Sequence, residues 1–324
     1  MLGWTLGSIA AALGAGGGGL ALFSHRTRRK VERALPPRGR FVDVSGHRLH
    51  VIEEGRGPPI LLIHGLGGQI AHFHALMPEL ARDHRVIAVD RPGSGYSERP
   101  KGATAGPLAQ ADIMAALIDR LALERPLVVG HSLGGAVALA LGLQHPEKVG
   151  GLALVCPVTR EPGSIHPLFR PLIIRSDLAR RVVGWTLAVP MSIRNGERNL
   201  AHAFAPEPPP ANFRTEAGGL LGLRPHAFQN ASMDIVALPH DLERMVPRYG
   251  DLRVPAAILY GRDDQLLDPD EQGRRTHGDA PLIGYDEIDG GHMIPITRAA
   301  EVADWVRKRE HEWAAAPELH ASPH

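Results

Sequence analysis

The sequence predicts an α/β fold, a mostly parallel central sheet flanked by helices with a largely helical insertion ahead of its last strands. Three observations carry that prediction. Short aliphatic runs alternate with segments of helical spacing from Pro59 to Val155. Those runs are apolar throughout rather than every second residue, as strands covered on both faces must be. The alternation stops after Cys156 and resumes from Ala256 to Trp313, so both flanks are needed to complete one sheet.

Taken in order, Arg40–Val44 and His47–Glu53 alternate apolar and polar residues around Ser45-Gly46, the pattern of a β-hairpin. Pro59–Ile63 reads as a buried strand, Ile70–Arg82 has helical spacing, and Val86–Val89 is the next strand. Asp90 to Gly95 is a loop by composition. Pro107–Leu123 is a helix opening on proline, whose missing N–H has no intrahelical partner in a first turn anyway. Leu127–Val129 (strand), Leu133–Gln144 (helix) and Val149–Val155 (strand) follow. From Pro157 to about Pro247, prolines and irregular helical patches replace strands. Ala256–Tyr260, a helix near Asp270–His277, Leu282–Ile288 and a helix from Arg298 to Trp313 close the pattern. The expected organisation is a core of 36–156 and 248–313, a cap at 157–247 and a disordered tail at 314–324.

A chain of 324 residues with 44% hydrophobic and 22% charged content can bury a sizeable core. A net charge of +1 and only 5% aromatic residues provide neither the field nor the stacking platforms that nucleic acid requires. The single cysteine, Cys156, excludes an internal disulfide; ending the apolar run Leu152–Cys156, it is expected as a buried, inert thiol. No metal or cofactor is expected. Residues Leu2 to Phe23 carry no charge, and His25-Arg26-Thr27-Arg28-Arg29-Lys30 follows at once. At about 1.5 Å per residue that run can cross a bilayer core of about 30 Å, although Gly16 to Gly19 weaken it as a helix. A cleaved signal has its basic residues before the apolar run, and charge after it directs the remainder to the cytoplasmic face. Residues 1–30 are therefore read as a membrane anchor, with an unusual secretory signal or a leader as alternatives.

Gly130-His131-Ser132-Leu133-Gly134 fits G-x-S-x-G, placed after a strand and before a helix. Small neighbours let the chain turn sharply and lift the Ser132 hydroxyl off the sheet edge, over unpaired N–H groups of the helix start. The competing reading is a serine helix cap with incidental glycines. A serine nucleophile needs a base, and the base needs orienting. Asp289-Gly290-Gly291-His292 follows the last strand, and Gly261-Arg262-Asp263-Asp264-Gln265 follows the one before it, so the chain order is Ser, acid, His.

On these motifs the sequence resembles the serine hydrolases of the α/β-hydrolase fold, in particular esterase- or lipase-like members with a cap, over about Arg40 to Trp313 apart from the insertion. The resemblance implies Ser132 as nucleophile, His292 as general base and Asp264 as the acid, with Asp263 its rival because adjacent carboxylates cannot both face one imidazole. It implies an oxyanion hole from the backbone N–H groups of Leu133 and of Leu66, the latter in the loop His64-Gly65-Leu66-Gly67-Gly68 held by the His64 side chain. His131 is read as structural, and the loop Asp90–Ser97 as shaping the turn and the pocket wall rather than as chemistry. A serine where epoxide hydrolases and haloalkane dehalogenases have aspartate argues against both. The implied activity is hydrolysis of a fairly apolar carboxylic ester, a small-molecule partner, through an acyl-enzyme. The alternatives are a carbon–carbon bond hydrolase of the ring-cleavage-product type and a cofactor-free perhydrolase. A non-catalytic binding protein of this fold would be expected to lack a triad residue. In the insertion, Ile165, Phe169, Trp185, Leu187 and Met191 either line an acyl pocket or pack the cap onto the core. Arg175, Arg180, Arg181 and Arg194 either meet an anionic group or lie in solvent.

Overall fold

The computed structural model describes residues 2–315, with side chains from residue 16 onward. Its frame is an eight-stranded sheet: β1 Arg40–Val44, β2 His47–Glu54, β3 Pro59–Ile63, β4 Arg85–Val89, β5 Leu127–His131, β6 Gly151–Val155, β7 Ala256–Gly261 and β8 Ile283–Ile288. The order across it is β1-β2-β4-β3-β5-β6-β7-β8. β2 pairs antiparallel with β1 and β4, and the other pairings are parallel. Ile60, Leu61, Leu62 and Ile63 are closed to solvent on both sheet faces. Burial of each such side chain stabilises the fold by about 1.5–3 kcal/mol, which is why these runs are uniformly apolar.

The helices are α1 Leu2–Ala34, α2 Leu76–Leu80, α3 Pro107–Arg120 and α4 Leu133–Gln144, then α5 Asp177–Val183, α6 Val189–Phe204 and α7 Pro225–Met245, and finally α8 Arg275–Asp279, α9 Ile294–Thr297 and α10 Ala299–Ala315. α4 buries every residue from Leu133 to Leu143, so it is apolar all round. The helix expected over Ile70–Arg82 is instead a 3₁₀ turn, Ile70–Phe73, followed by the short α2. Pro78 has no N–H to offer the turn before it, and the Ile70 N–H is taken by Asp90 Oδ1 at 2.8 Å. The stretch near Asp270–His277 likewise divides into a wide π turn, Asp270–Arg274, and α8.

Between β6 and β7 the described residues form no strand; α5, a π-helical segment Gly184–Ala188, α6 and α7 lie there. Ser176 caps α5 by accepting from Ala179 N at 3.3 Å. The N-terminal boundary differs from expectation. α1 runs unbroken through residue 30, buries Ser24 and Val31, and sets the His25 ring 6.5 Å from that of Trp185. The reason is packing: its second half lies against the inserted helices rather than leading away from them. No helix among the described residues is long and apolar enough to cross a membrane. The side chains of residues 2–15, most of the anticipated anchor, lie outside the described ones, as do tail residues 316–324.

Candidate active site

Ser132 stands where β5 ends and α4 begins, with φ 55° and ψ −120°. A non-glycine residue adopts a positive φ only where its surroundings hold it there. Here the Ser132 N–H donates to Val155 O at 3.0 Å, and its carbonyl accepts from Gly135 N at 2.9 Å and Val158 N at 3.0 Å. The flanking glycines have a specific cause. A Cβ on Gly134 would collide with the carbonyl oxygens of Ile63 and His64, and one on Gly130 with that of Gly134.

His292 lies in the loop after β8. Its Nδ1 is 2.7 Å from Asp264 Oδ2, and both residues are buried. Asp264 Oδ1 accepts from Leu266 N at 2.8 Å and Leu267 N at 3.0 Å, so the carboxylate is held by three donors. Asp263 is exposed, and its backbone N–H donates to Gly290 O at 2.9 Å. Of the two adjacent carboxylates, only Asp264 faces the imidazole. Ser132 and His292 line one cavity, without a direct hydrogen bond between their side chains among the described contacts. Such bonds often form only around a bound substrate.

Leu66 and Leu133 line the same cavity, and neither backbone N–H has an acceptor among the described residues. Two unpaired donors beside the Ser132 hydroxyl, one at the start of a 12-residue helix, are an arrangement suited to receiving negative charge. His64, fully buried, accepts from Arg91 N at Nε2, 3.0 Å, and donates from Nδ1 to Gly65 O at 2.9 Å. Burial, reinforced by the Arg91 charge, holds its pKa well below the ordinary histidine value. His131 points its Nε2 at the His292 carbonyl, 3.0 Å away, and so ties the His292 loop to the turn at Ser132. Burial first, and His292 second, keep it neutral as well.

The cavity wall is apolar. Ile165 and Phe169 come from the insertion, with Ile235, Leu238 and Leu242 on α7 and Leu267 below them. The only acidic lining residue is Glu161, and no Arg or Lys lines the cavity among the described residues. The two readings of the inserted apolar residues therefore divide by position. Ile165 and Phe169 border the cavity, whereas Leu187 and Met191 are about half exposed, at 51% and 49%, and fit neither reading. Arg180 meets no cavity: its Nε donates to Ser232 Oγ at 3.1 Å and its Nη2 to Ile174 O at 2.7 Å. Arg175, Arg181 and Arg194 do not line the cavity either.

A family model for the alpha/beta hydrolase fold matches residues 58–191. The chain is 41% identical over 291 residues to the 2-hydroxymuconate semialdehyde hydrolase of Pseudomonas sp. strain CF600, covering 84% of this chain and 93% of that one. The chain belongs to the alpha/beta hydrolase fold family. This hydrolase-fold chain is also 38% identical over 244 residues to the 2-hydroxy-6-oxo-2,4-heptadienoate hydrolase of Pseudomonas putida strain F1, covering 71% of it and 80% of the relative. Among solved structures it resembles the enol-lactonase of Burkholderia xenovorans LB400 at a TM-score of 0.65 and 22% identity, over 83% of this chain and 99% of that one.

Two neighbours of the alpha/beta hydrolase site carried no recognisable signal in the sequence. Cys156, expected as an inert buried thiol, is indeed buried, but it lies against Asp264, with its Sγ within 4.8 Å of ligand atoms of both Asp264 and His292. Burial first and the Asp264 charge second push the thiol well above its usual pKa. α7 supplies a cavity wall although nothing in its spacing distinguishes it from a packing helix; Pro239, inside that helix, also faces the cavity.

Proposed function

We propose that this alpha/beta hydrolase cleaves a neutral, largely apolar carboxylic ester by way of an acyl-enzyme. Ser132 Oγ attacks the carbonyl carbon while His292 Nε2 takes its proton. Asp264 holds the imidazole by Nδ1 and stabilises its charged form. The oxyanion is received by Leu66 N–H and Leu133 N–H; the loss of one oxyanion donor costs on the order of 10²–10³ in rate where it has been removed from an acyl-transfer enzyme. His292 returns the proton to the leaving alcohol, and a water activated by the same histidine then releases the acid. The observation that carries this reading is the cavity itself, where Ser132 meets a mainly apolar wall with no Arg or Lys among the described residues lining it. A wall of that kind favours a neutral group over a carboxylate, whose desolvation would go uncompensated.

A second reading is favoured by the two curated relatives, named as hydrolases of 2-hydroxymuconate semialdehyde and of 2-hydroxy-6-oxo-2,4-heptadienoate rather than of simple esters. In it, the same serine would cleave a carbon–carbon bond of a vinylogous diketone acid. Turnover of p-nitrophenyl esters across chain lengths, run beside such an acid, separates the two. A kcat/KM higher for the diketone acid than for every ester overturns the ester reading. Labelling of the wild type but not of Ser132→Ala by a fluorophosphonate probe is expected under both.

A further inference from the structure

The loop after β4 reads in the sequence as shaping a turn and the pocket wall, not as chemistry. Arg91, its second residue, is fully closed to solvent, and its guanidinium serves two ends of the molecule. On one side Nε donates to His64 O at 2.9 Å and Nη2 to Gly65 O at 2.9 Å, a fork across two consecutive carbonyls of the loop that contains Leu66. On the other, Nη1 donates to Gln110 Oε1 at 2.8 Å and to Asp234 Oδ2 at 2.9 Å. Asp234 belongs to α7 and is itself 1% exposed; its second oxygen pairs with Arg99 Nη2 at 2.5 Å.

Peptide geometry turns this contact into a statement about Leu66. The Gly65 carbonyl and the Leu66 N–H belong to one planar trans unit and point in opposite directions. Anchoring the oxygen on Arg91 therefore aims the N–H away from it, and Leu66 borders the cavity with Ser132 and Leu133. Two further donors hold the same oxygen, His64 Nδ1 at 2.9 Å and Gly68 N at 3.2 Å. The histidine also depends on Arg91, whose backbone N–H occupies Nε2 and so leaves the proton on Nδ1. A cation on two peptide oxygens forms charge-assisted bonds that fix their plane more firmly than neutral donors do.

We propose that Arg91 is a positioning residue that aims the Leu66 N–H at the developing oxyanion, and that Asp234 links this aim to the seating of α7. The proposal rests on the reading of Ser132 as nucleophile. The link to α7 has a direct route to substrate, because Ile235, the next residue, and Leu238, one turn on, form cavity wall. A buried ion pair adds little net stability over well-packed apolar side chains, so what Arg91 and Asp234 supply is orientation.

The test uses the full-length chain with Arg91→Lys and Asp234→Asn. Lysine keeps a cation near Asp234 but has no planar fork for two carbonyls. Arg91→Lys should lower kcat about 10- to 100-fold, part of the value of one oxyanion donor, with KM changed less than about threefold. Asp234→Asn should lower it about three- to tenfold. Affinity for a boronic acid that mimics the tetrahedral oxyanion should fall in step with kcat/KM, while affinity for the product acid stays within about twofold. A merely structural role would lower Tm and leave these ratios untouched. Should Arg91→Lys fail to fold, Asp234→Asn decides alone, by the same split between boronate and product. Folded variants with wild-type kcat and boronate affinity overturn the proposal. An unlabelled wild type in the fluorophosphonate assay overturns the nucleophile reading and this inference with it, whereas a labelled wild type with unchanged variants overturns this inference only.

Discussion

His292 Nδ1 and Asp264 Oδ2 are 2.7 Å apart, with side-chain exposures of 5% and 0%. So short a contact, out of water, is enough to select the imidazole tautomer whose Nε2 is free to accept a proton. Asp264 has no freedom to turn away, because Leu266 N and Leu267 N hold its other oxygen.

Asp264→Asn should therefore reduce kcat by about 10²–10⁴, since an amide nitrogen facing Nδ1 favours the opposite tautomer. Asp263→Asn, one residue away and exposed, should remain within about twofold of wild type. Steady-state kinetics on one ester substrate check both. The reverse ranking would move the orienting acid to Asp263.

The elbow makes a stability prediction. Gly134→Ala places a methyl against the Ile63 and His64 carbonyl oxygens, which the sheet cannot move, and should destabilise by about 1–3 kcal/mol or more. Gly222→Ala, where an added Cβ meets nothing within 4 Å, should change stability by less than about 0.5 kcal/mol. Urea unfolding of the two variants side by side measures the contrast.

Cys156 should be silent in the folded protein. Its thiol is buried and held protonated by burial and by Asp264, so iodoacetamide should modify it only after unfolding. Mass spectrometry before and after denaturant reads the result. Rapid labelling of the native chain would contradict the packing of Cys156 behind Asp264 and His292.

Acid should destabilise the fold through the histidines around the site. His64 and His131 have folded-state pKa values well below the unfolded one of about 6.5, so below that pH the unfolded chain binds protons that the native chain refuses. Their stabilisation is complete above pH of about 6.5 and is lost as pH falls toward the depressed values. The slope of unfolding free energy against pH in that range should lose about one proton in His131→Asn. His84 works in the opposite sense: Glu310, with Asp83, raises its pKa, so its contribution is full below about 6.5 and is lost as pH rises through the raised value.

Truncation tests the packing of α1. Deleting residues 1–34 removes buried Ser24 and Val31 and the His25–Trp185 contact, and should lower Tm by several degrees, about what the loss of 1–2 kcal/mol produces. Calorimetry decides. An unchanged Tm would make the helix an appendage, as a boundary at residue 30 implied.

The order of strands and helices, the place of Ser132 between β5 and α4, and the positions of His292 and the two candidate acids were legible in the chain. Each is a local pattern: uniformly apolar runs, glycines at fixed offsets from a serine, polar loops at strand ends. What lay beyond it required contacts between distant residues. The choice of Asp264 over Asp263 depends on which carboxylate the turn after β7 turns inward, and one step along the chain reverses the direction. Arg91 looked like part of a turn because its partners, Gly65 and Asp234, are 26 and 143 residues away. The breaks at Ile70–Arg82 and Asp270–His277 were set by Pro78, by the Asp90 carboxylate and by neighbouring elements, where helical spacing alone implied continuity. Short-range patterns determined the elements and the chain order of Ser132, Asp264 and His292. Tertiary packing decided which atoms face one another, because facing depends on burial and on hydrogen bonds that no local pattern encodes.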